Sequence, residues 1–428
     1  MNRNRFLRSI GLISGGLALH PVGPVYSSPD EFSRALSGAS GEDDFWKKIR
    51  EQFTYPEDFI YFNTGGIGAA PIAVLDMVDS NMRLLEKSPR PGHDEKDWID
   101  IKESCAPFFG PGCEHAELAL TNTATEGINI ILNGLGLKPG DEVITSTHEH
   151  VALEVPLLNQ MNINGIVIRT FEPDRADGAN NLNRIRELIN GKTRLIFHSH
   201  ITCTTGQLLP VAEIGKMAHE RGILYAVDGA QAAGTMPIDL KALNIDFYAC
   251  CGHKWMLGPK RTGLLYVRKD KLPLLQPVTV GAYSDLSHDL LKGELELRET
   301  AGKFEYGTQN ESLFRGLQTA ARFLQAIGLQ KIKDHNRGLA EQFCQGLSRI
   351  PGTEILSPAE EQYRTSMITF RLKSKGYQET SNYLTGEKRI RVRVVPEAGM
   401  NAVRASFHVY NQAFEVDRIL EELRNYAR

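Results

Sequence analysis

Ile223-Leu224-Tyr225-Ala226-Val227-Asp228-Gly229-Ala230-Gln231, followed by Asp246-Phe247-Tyr248-Ala249-Cys250-Cys251-Gly252-His253-Lys254-Trp255, decides the fold. Residues 223–227 and 246–250 are short apolar runs that read as buried strands, and each ends abruptly in polar residues beside glycine. Outward from them the same pattern recurs at residues 116–120, 142–145, 166–171, 195–198 and 263–267. Helical patterns lie between several of these runs. Ile128, Ile131, Leu132 and Leu135 fall at i, i+3, i+4 and i+7, and a second pattern runs from Val211 to Arg221 and is ended by Gly222. Alternating strands and helices predict an α/β fold with a mostly parallel, seven-stranded sheet covered on both faces. Beyond about Glu311 the pattern changes to a long helix from Leu313 to Ile327 and then a smaller mixed segment. The expected organisation is a large domain over residues 61–310, a smaller α+β domain over 311–428, and a segment 29–60 packed on the smaller domain.

In an open parallel sheet, ligands bind beyond the carboxyl ends of the strands. The polar residues that stand out fall at those ends. Asp228 closes an apolar strand, so it needs a cationic or hydrogen-donating partner to offset desolvation, unless it merely caps the next helix. Lys254 lies between glycines and runs into Trp255-Met256-Leu257, an apolar setting that lowers an amine's pKa and makes it nucleophilic toward an aldehyde. Thr121-Asn122-Thr123-Ala124-Thr125-Glu126-Gly127 joins a strand to a helix. It offers free N–H groups and a positive dipole end to a phosphate, or serves as an ordinary N-cap. His198 and His200 lie two apart on a strand without a third ligand at useful spacing, and His148 and His150 miss the i, i+4 spacing of a helical zinc site, so no metal is expected.

Together these segments resemble the class V aminotransferase and cysteine desulfurase superfamily, pyridoxal 5′-phosphate (PLP) enzymes of fold type I, from about Tyr61 to Asn411. The signature is Asp228-Gly229-Ala230-Gln231 followed by Gly252-His253-Lys254. The resemblance implies a role for each matching position. Lys254 carries the cofactor as a Schiff base and later shuttles a proton. Asp228 pairs with the ring nitrogen, Gln231 reaches the ring hydroxyl, Ala230 packs on one ring face and His150 stacks on the other. Ala124, Thr125 and His253 contact the phosphate, and Thr308 is donated to the phosphate of a partner subunit, implying a homodimer with shared sites. Arg404 clamps the substrate carboxylate, a bidentate task that lysine does poorly.

Three departures bear on the reaction. Cys251 stands where a phosphate-binding serine is usual, and Cys203 where asparagine or serine often approaches the ring hydroxyl. No cysteine lies between Ile390 and Arg404, where desulfurases carry a nucleophilic thiol; that segment supplies Arg391 and Arg393, as a cationic lining or as solvent-facing strand residues. The expected activity is therefore chemistry at Cα of an amino-acid or aminoacyl-peptide substrate: transamination, epimerisation or decarboxylative side-chain tailoring. The exported isopenicillin N epimerase-like branch, with the periplasmic enzyme that modifies pyoverdine, is the nearest resemblance. A cysteine desulfurase or C–S lyase is the alternative, and a non-catalytic binding protein of the same fold is a second.

A formal net charge of −3 gives no basic field for nucleic acid, and no apolar run beyond the N-terminus approaches the roughly 20 residues of a membrane span. Cys105 and Cys113 are buried thiols or, in an oxidising compartment, a bridge. Residues 1–28 follow signal-peptide grammar. Arg3, Arg5 and Arg8 precede a short apolar stretch, and Arg3-Asn4-Arg5-Phe6-Leu7-Arg8 resembles a twin-arginine signal with Asn4 in place of the second arginine. The expected location is the periplasm, with a cytoplasmic enzyme as the fallback.

Overall fold

The seven apolar runs become strands of one sheet, and all but the edge strand are largely buried on both faces. The computed structural model describes Tyr26 and residues 29–56, 58–89 and 94–428; the expected export signal at 1–28 lies, Tyr26 apart, outside the described residues. The strands are β1 (Leu118–Thr121), β2 (Glu142–Ser146), β3 (Val167–Phe171), β4 (Thr193–Ser199), β5 (Leu224–Asp228), β6 (Phe247–Cys251) and β7 (Gly263–Val267). Their order across the sheet is β1-β7-β6-β5-β4-β2-β3, with only β7 antiparallel to its neighbours. The period-2 alternation of a strand divides the side chains between two cores. Ile196, Tyr225, Val227, Tyr248 and Leu264 enter one, while Phe197, Ala226, Phe247, Ala249 and Leu265 enter the other. β3 is an edge strand and is more exposed; there Arg169 Nη2 lies 2.9 Å from Glu142 Oε1, a charged rim of the kind that blunts edge pairing.

Helices cover both faces. Ala124–Gly134 lies close on β6 because Gly127 carries no side chain: a Cβ there would come within 2.9 Å of the Ala249 Cβ. The helix Glu311–Ile327 forms where the sequence pattern predicts it, and its Phe314, Leu317, Ala321 and Leu324 enter the same core as Tyr225 and Tyr248.

A second sheet contains β8 (Thr353–Ile355), β9 (Met367–Leu372), β10 (Arg393–Val395) and β11 (Ala402–Ser406), in the order β8-β9-β11-β10 and antiparallel throughout. Its core holds Phe343, Phe370, Val403, Phe407 and Leu420. The pair Ile60–Tyr61 joins this region by pairing parallel with Ile390–Arg391, and Asn63 then bridges to Ser406. The preceding helices pack across both regions: Phe32 stacks on Phe323 at 4.5 Å and Trp46 on His335 at 3.7 Å.

Candidate active site

The carboxyl ends of β1, β2, β4, β5 and β6 meet the second sheet around a cavity of about 250 Å³. Ala124, Thr125, His150, Asp228, Ala230, Gln231, Cys251, His253, Lys254 and Arg404, all singled out in the sequence, line this one cavity. Thr308 does not; it is exposed, in the segment between Phe304 and the helix Glu311–Ile327.

Asp228 ends β5 and is buried, and its Oδ1 accepts the Ala230 N–H at 2.9 Å. Burial raises its pKa, opposed by the Lys254 charge and that N–H. Lys254, also buried, follows β6 by three residues. Gln231 is more committed than the sequence suggests: its amide nitrogen donates to Gly65 O at 2.9 Å and its Oε1 accepts Trp255 Nε1–H at 2.8 Å.

His150 caps the helix Val151–Asn164, with Nδ1 accepting the Ala152 N–H at 3.1 Å. A neutral ring with this bond carries its proton on Nε2. Burial first, then the Lys254 and Arg393 charges, push its pKa down to about 4. Thr123 caps Ala124–Gly134 by accepting the Glu126 N–H at 3.2 Å. The cap reading and the phosphate reading are therefore compatible, since Ala124 and Thr125 open that helix on the cavity wall.

Arg404 is fully buried on β11. Its Nη1 donates to Cys203 O, while Nε and Nη2 have no hydrogen-bond partner. Burial, aided by Arg393, lowers its pKa to about 9. Arg393 lies directly opposite Arg404 in the β10–β11 register, lines the cavity and pairs with Glu397. Arg391 is exposed and does not line it, so the cationic-lining reading holds for Arg393 alone.

All six cysteines are free, including Cys105 and Cys113; Cys105 is buried as expected, while Cys113 is partly exposed. Cys203 and Cys251 line the cavity; burial pushes Cys203 up to about 11 and also raises Cys251. His198 and His200 are core residues bonded to Tyr225 OH and Tyr248 OH at 3.0 and 3.1 Å. Among the described residues no group of three or more His, Cys, Asp or Glu could hold a metal ion, and no helix is long and apolar enough to cross a membrane.

The sequence reading missed Gly65, Gly66 and Ser199, which also line the cavity. The signal for the first two was Asn63-Thr64-Gly65-Gly66 directly after an apolar segment. A Cβ on Gly65 would approach Arg404 Nη2 to 2.8 Å and Met367 Sδ to 2.9 Å, so a side chain there would displace one of these groups.

Residues 99–419 match the family model described as Aminotransferase class-V. A probable cysteine desulfurase of Methanothermobacter thermautotrophicus is 31% identical over 341 residues, covering 77% of this chain and 83% of its own length. The cysteine desulfurase of Serratia proteamaculans is 30% identical over 340 residues, covering 77% and 82%. Among solved structures, the apo cysteine desulfurase of Thermococcus onnurineus aligns with a TM-score of 0.80 at 26% identity, over 89% of this chain and 98% of that one. A cystine C–S lyase, solved with its reaction product cysteine persulfide, aligns with a TM-score of 0.79 at 27% identity, over 86% and 98%. A mutant of that lyase has glycine covalently linked to the PLP cofactor. The mixed sheet is thus that of a PLP fold type I enzyme, as expected. The names of these relatives favour the desulfurase or C–S lyase alternative over transamination, epimerisation or side-chain tailoring.

Proposed function

Because the chain belongs to the class-V aminotransferase family of PLP-dependent enzymes, we propose that it cleaves the Cβ–S bond of an amino acid whose α-carboxylate is held by Arg404. The observation that carries this reading is the Arg404 guanidinium, wholly buried with Nε and Nη2 unpartnered on the cavity that also holds Lys254. A buried charge without a counter-ion is costly, and a planar carboxylate matches its two free donors.

The residues fit PLP. Asp228 is a buried carboxylate with one backbone donor from Ala230, and a protonated ring nitrogen would supply another. Gln231 retains one amide hydrogen for the ring hydroxyl after its bond to Gly65. The first N–H groups of Ala124–Gly134 and the buried, unpartnered Nδ1 of His253 suit the phosphate, with Cys251 a weak donor beside them. Ala230 and His150 would flank the ring, and Lys254 would take the aldehyde carbon. When bound, PLP delocalises the charge left at Cα. Lys254 Nζ, freed once the substrate amine has taken its place, would remove the Cα proton while Arg404 keeps the substrate oriented.

Two observations favour release of sulfur with the product over transfer to an enzyme thiol. Residues 390–404 contain no cysteine. The two cavity thiols, Cys203 and Cys251, are buried and held protonated, and a thiol is a far weaker nucleophile than a thiolate. With cystine as substrate, one Cβ–S bond breaks, and water releases the amino-bearing fragment. The products are pyruvate, ammonia and cysteine persulfide.

The test is incubation of the purified holoenzyme with cystine, cysteine and a panel of other amino acids. We expect pyruvate and ammonia with soluble persulfide, and no persulfide on the enzyme after alkylation and mass spectrometry. Alanine with an enzyme-bound persulfide identifies a desulfurase. A sulfur-retaining keto acid or an inverted amino acid restores the transamination or epimerisation reading.

Two further parts of this reading concern assembly and location. Thr308, exposed here, would complete the phosphate site of a second subunit in a two-fold dimer. Residues 1–28 would direct export to the periplasm. Sequencing the N-terminus of protein from fractionated cells tests that, and an intact Met1 on active cytosolic enzyme contradicts it.

A further inference from the structure

Glu149 takes no part in the chemistry above, yet it is 1% exposed and lies between two histidines on the turn from β2 to the helix Val151–Asn164. Its carboxyl accepts the hydroxyl hydrogens of Ser146 and Ser199, and the Ser199 N–H at 3.0 and 3.2 Å. Ser146 ends β2, and Ser199 ends β4, where it pairs in register with Asp228. One carboxyl therefore ties the turn to the strand that flanks Asp228. Burial raises its pKa to about 7, and the Asp228 charge pushes the same way.

The rest of the turn is fixed to match. The His148 N–H donates to Ser146 Oγ at 3.2 Å, and its ring lies between Thr204 Oγ1 at 3.0 Å and Glu172 Oε1 at 2.8 Å. His150, the next residue after Glu149, is left facing the cavity. A turn of this kind, free to move, would lose backbone entropy on holding one orientation. Hydrogen bonds made beforehand remove that cost from cofactor binding.

We propose that Glu149 is a positioning residue, which fixes His150 against the cofactor by clamping the end of β2 to the end of β4. The proposal rests on the reading of His150 as the residue that packs on the PLP ring.

The test is a double-mutant cycle on the full chain, with Glu149→Ala, His150→Ala and the pair. PLP affinity is measured by titrating apoprotein and following the absorbance of the bound cofactor, and kcat and KM by product formation. We expect each single variant to weaken PLP by about tenfold or more, and the double variant to bind little worse than the weaker single one. Glu149→Gln, which keeps an acceptor for the Ser199 N–H, should recover most of the affinity. If Glu149→Ala does not fold, Ser199→Ala, alone and combined with His150→Ala, gives the same cycle. Multiplicative losses, or wild-type PLP affinity in Glu149→Ala (or in Ser199→Ala where that replaces it), overturn the clamp. Wild-type affinity in His150→Ala instead overturns the reading of His150 on which the clamp rests. A merely structural Glu149 would lower the Tm of apo- and holoprotein alike and show no coupling to His150.

Discussion

Replacing Arg404 with methionine should separate stability from activity. The guanidinium is fully buried, keeps one hydrogen bond to Cys203 O and leaves Nε and Nη2 without partners. Burial lowers its pKa to about 9, and at about 1.4 kcal/mol per pH unit the charged form bears a cost on the order of 5 kcal/mol. Arg404→Met removes that cost and forfeits one charge-assisted bond of about 1.5–3 kcal/mol, in a side chain that fills much of the same space. The apoprotein should therefore melt no lower than wild type. The same change removes the carboxylate anchor, so kcat/KM should fall by about 2–4 kcal/mol, roughly 30- to 1000-fold. Arg404→Lys should recover little, because a point charge does not reproduce the fork. The assay is a thermal melt of the apoprotein beside steady-state kinetics on the best substrate. A lower Tm with unchanged kcat/KM would refute the reasoning, since Arg404 would then be structural and the carboxylate anchored elsewhere.

Other outcomes follow from the same geometry. Asp228→Asn keeps an acceptor for the Ala230 N–H but loses the charge opposite the ring nitrogen, so kcat should drop by about 10²-fold or more while the apoprotein fold persists by circular dichroism. Burial lowers the pKa of His198 to about 4 and of His200 and His408 to about 3. Below pH 6.5 the unfolded chain takes up protons that the folded chain refuses, so stability is lost as pH falls from 6.5 toward 4. For His198 alone the loss is on the order of 3 kcal/mol. Glu149, raised to about 7, acts the other way, as do Asp228, Glu305 and Glu415, also raised by burial, but His148, His150, His253 and His335 are lowered too, so the histidines prevail, and a Tm that stays flat from pH 6.5 to 4 contradicts this balance. Thr308→Ala should weaken PLP binding in a dimer seen by sedimentation, and an active monomer with full PLP affinity would exclude the shared site.

Much of this site was legible because chemistry sits at strand ends. Asp228 and Lys254 each follow an apolar run, and a period-2 pattern fixes where such a run stops. What stayed hidden depends on contacts between distant segments. Gly65 matters only because Asn63 bridges to Ser406 and brings the loop against Arg404. Arg393 could be told from Arg391 only once β10 paired with β11 and set Arg393 opposite Arg404. Glu149 carries no signal of its own in sequence, and its clamp depends on Ser199, fifty residues away on another strand. Ser199 itself carries no local signal, since a serine ending a strand is ordinary. The helix Glu311–Ile327 shows the same limit: its periodicity was plain, but not the core it would join.

The account stands on Lys254 as the residue that holds the cofactor. Borohydride reduction of the yellow holoenzyme, followed by proteolysis and mass spectrometry, tests this directly. The phosphopyridoxyl group should appear on the peptide containing Gly252-His253-Lys254, and Lys254→Ala should lose both the visible band and the label while remaining folded. A label on any other lysine, or a reducible band that survives in Lys254→Ala, would contradict the assignment.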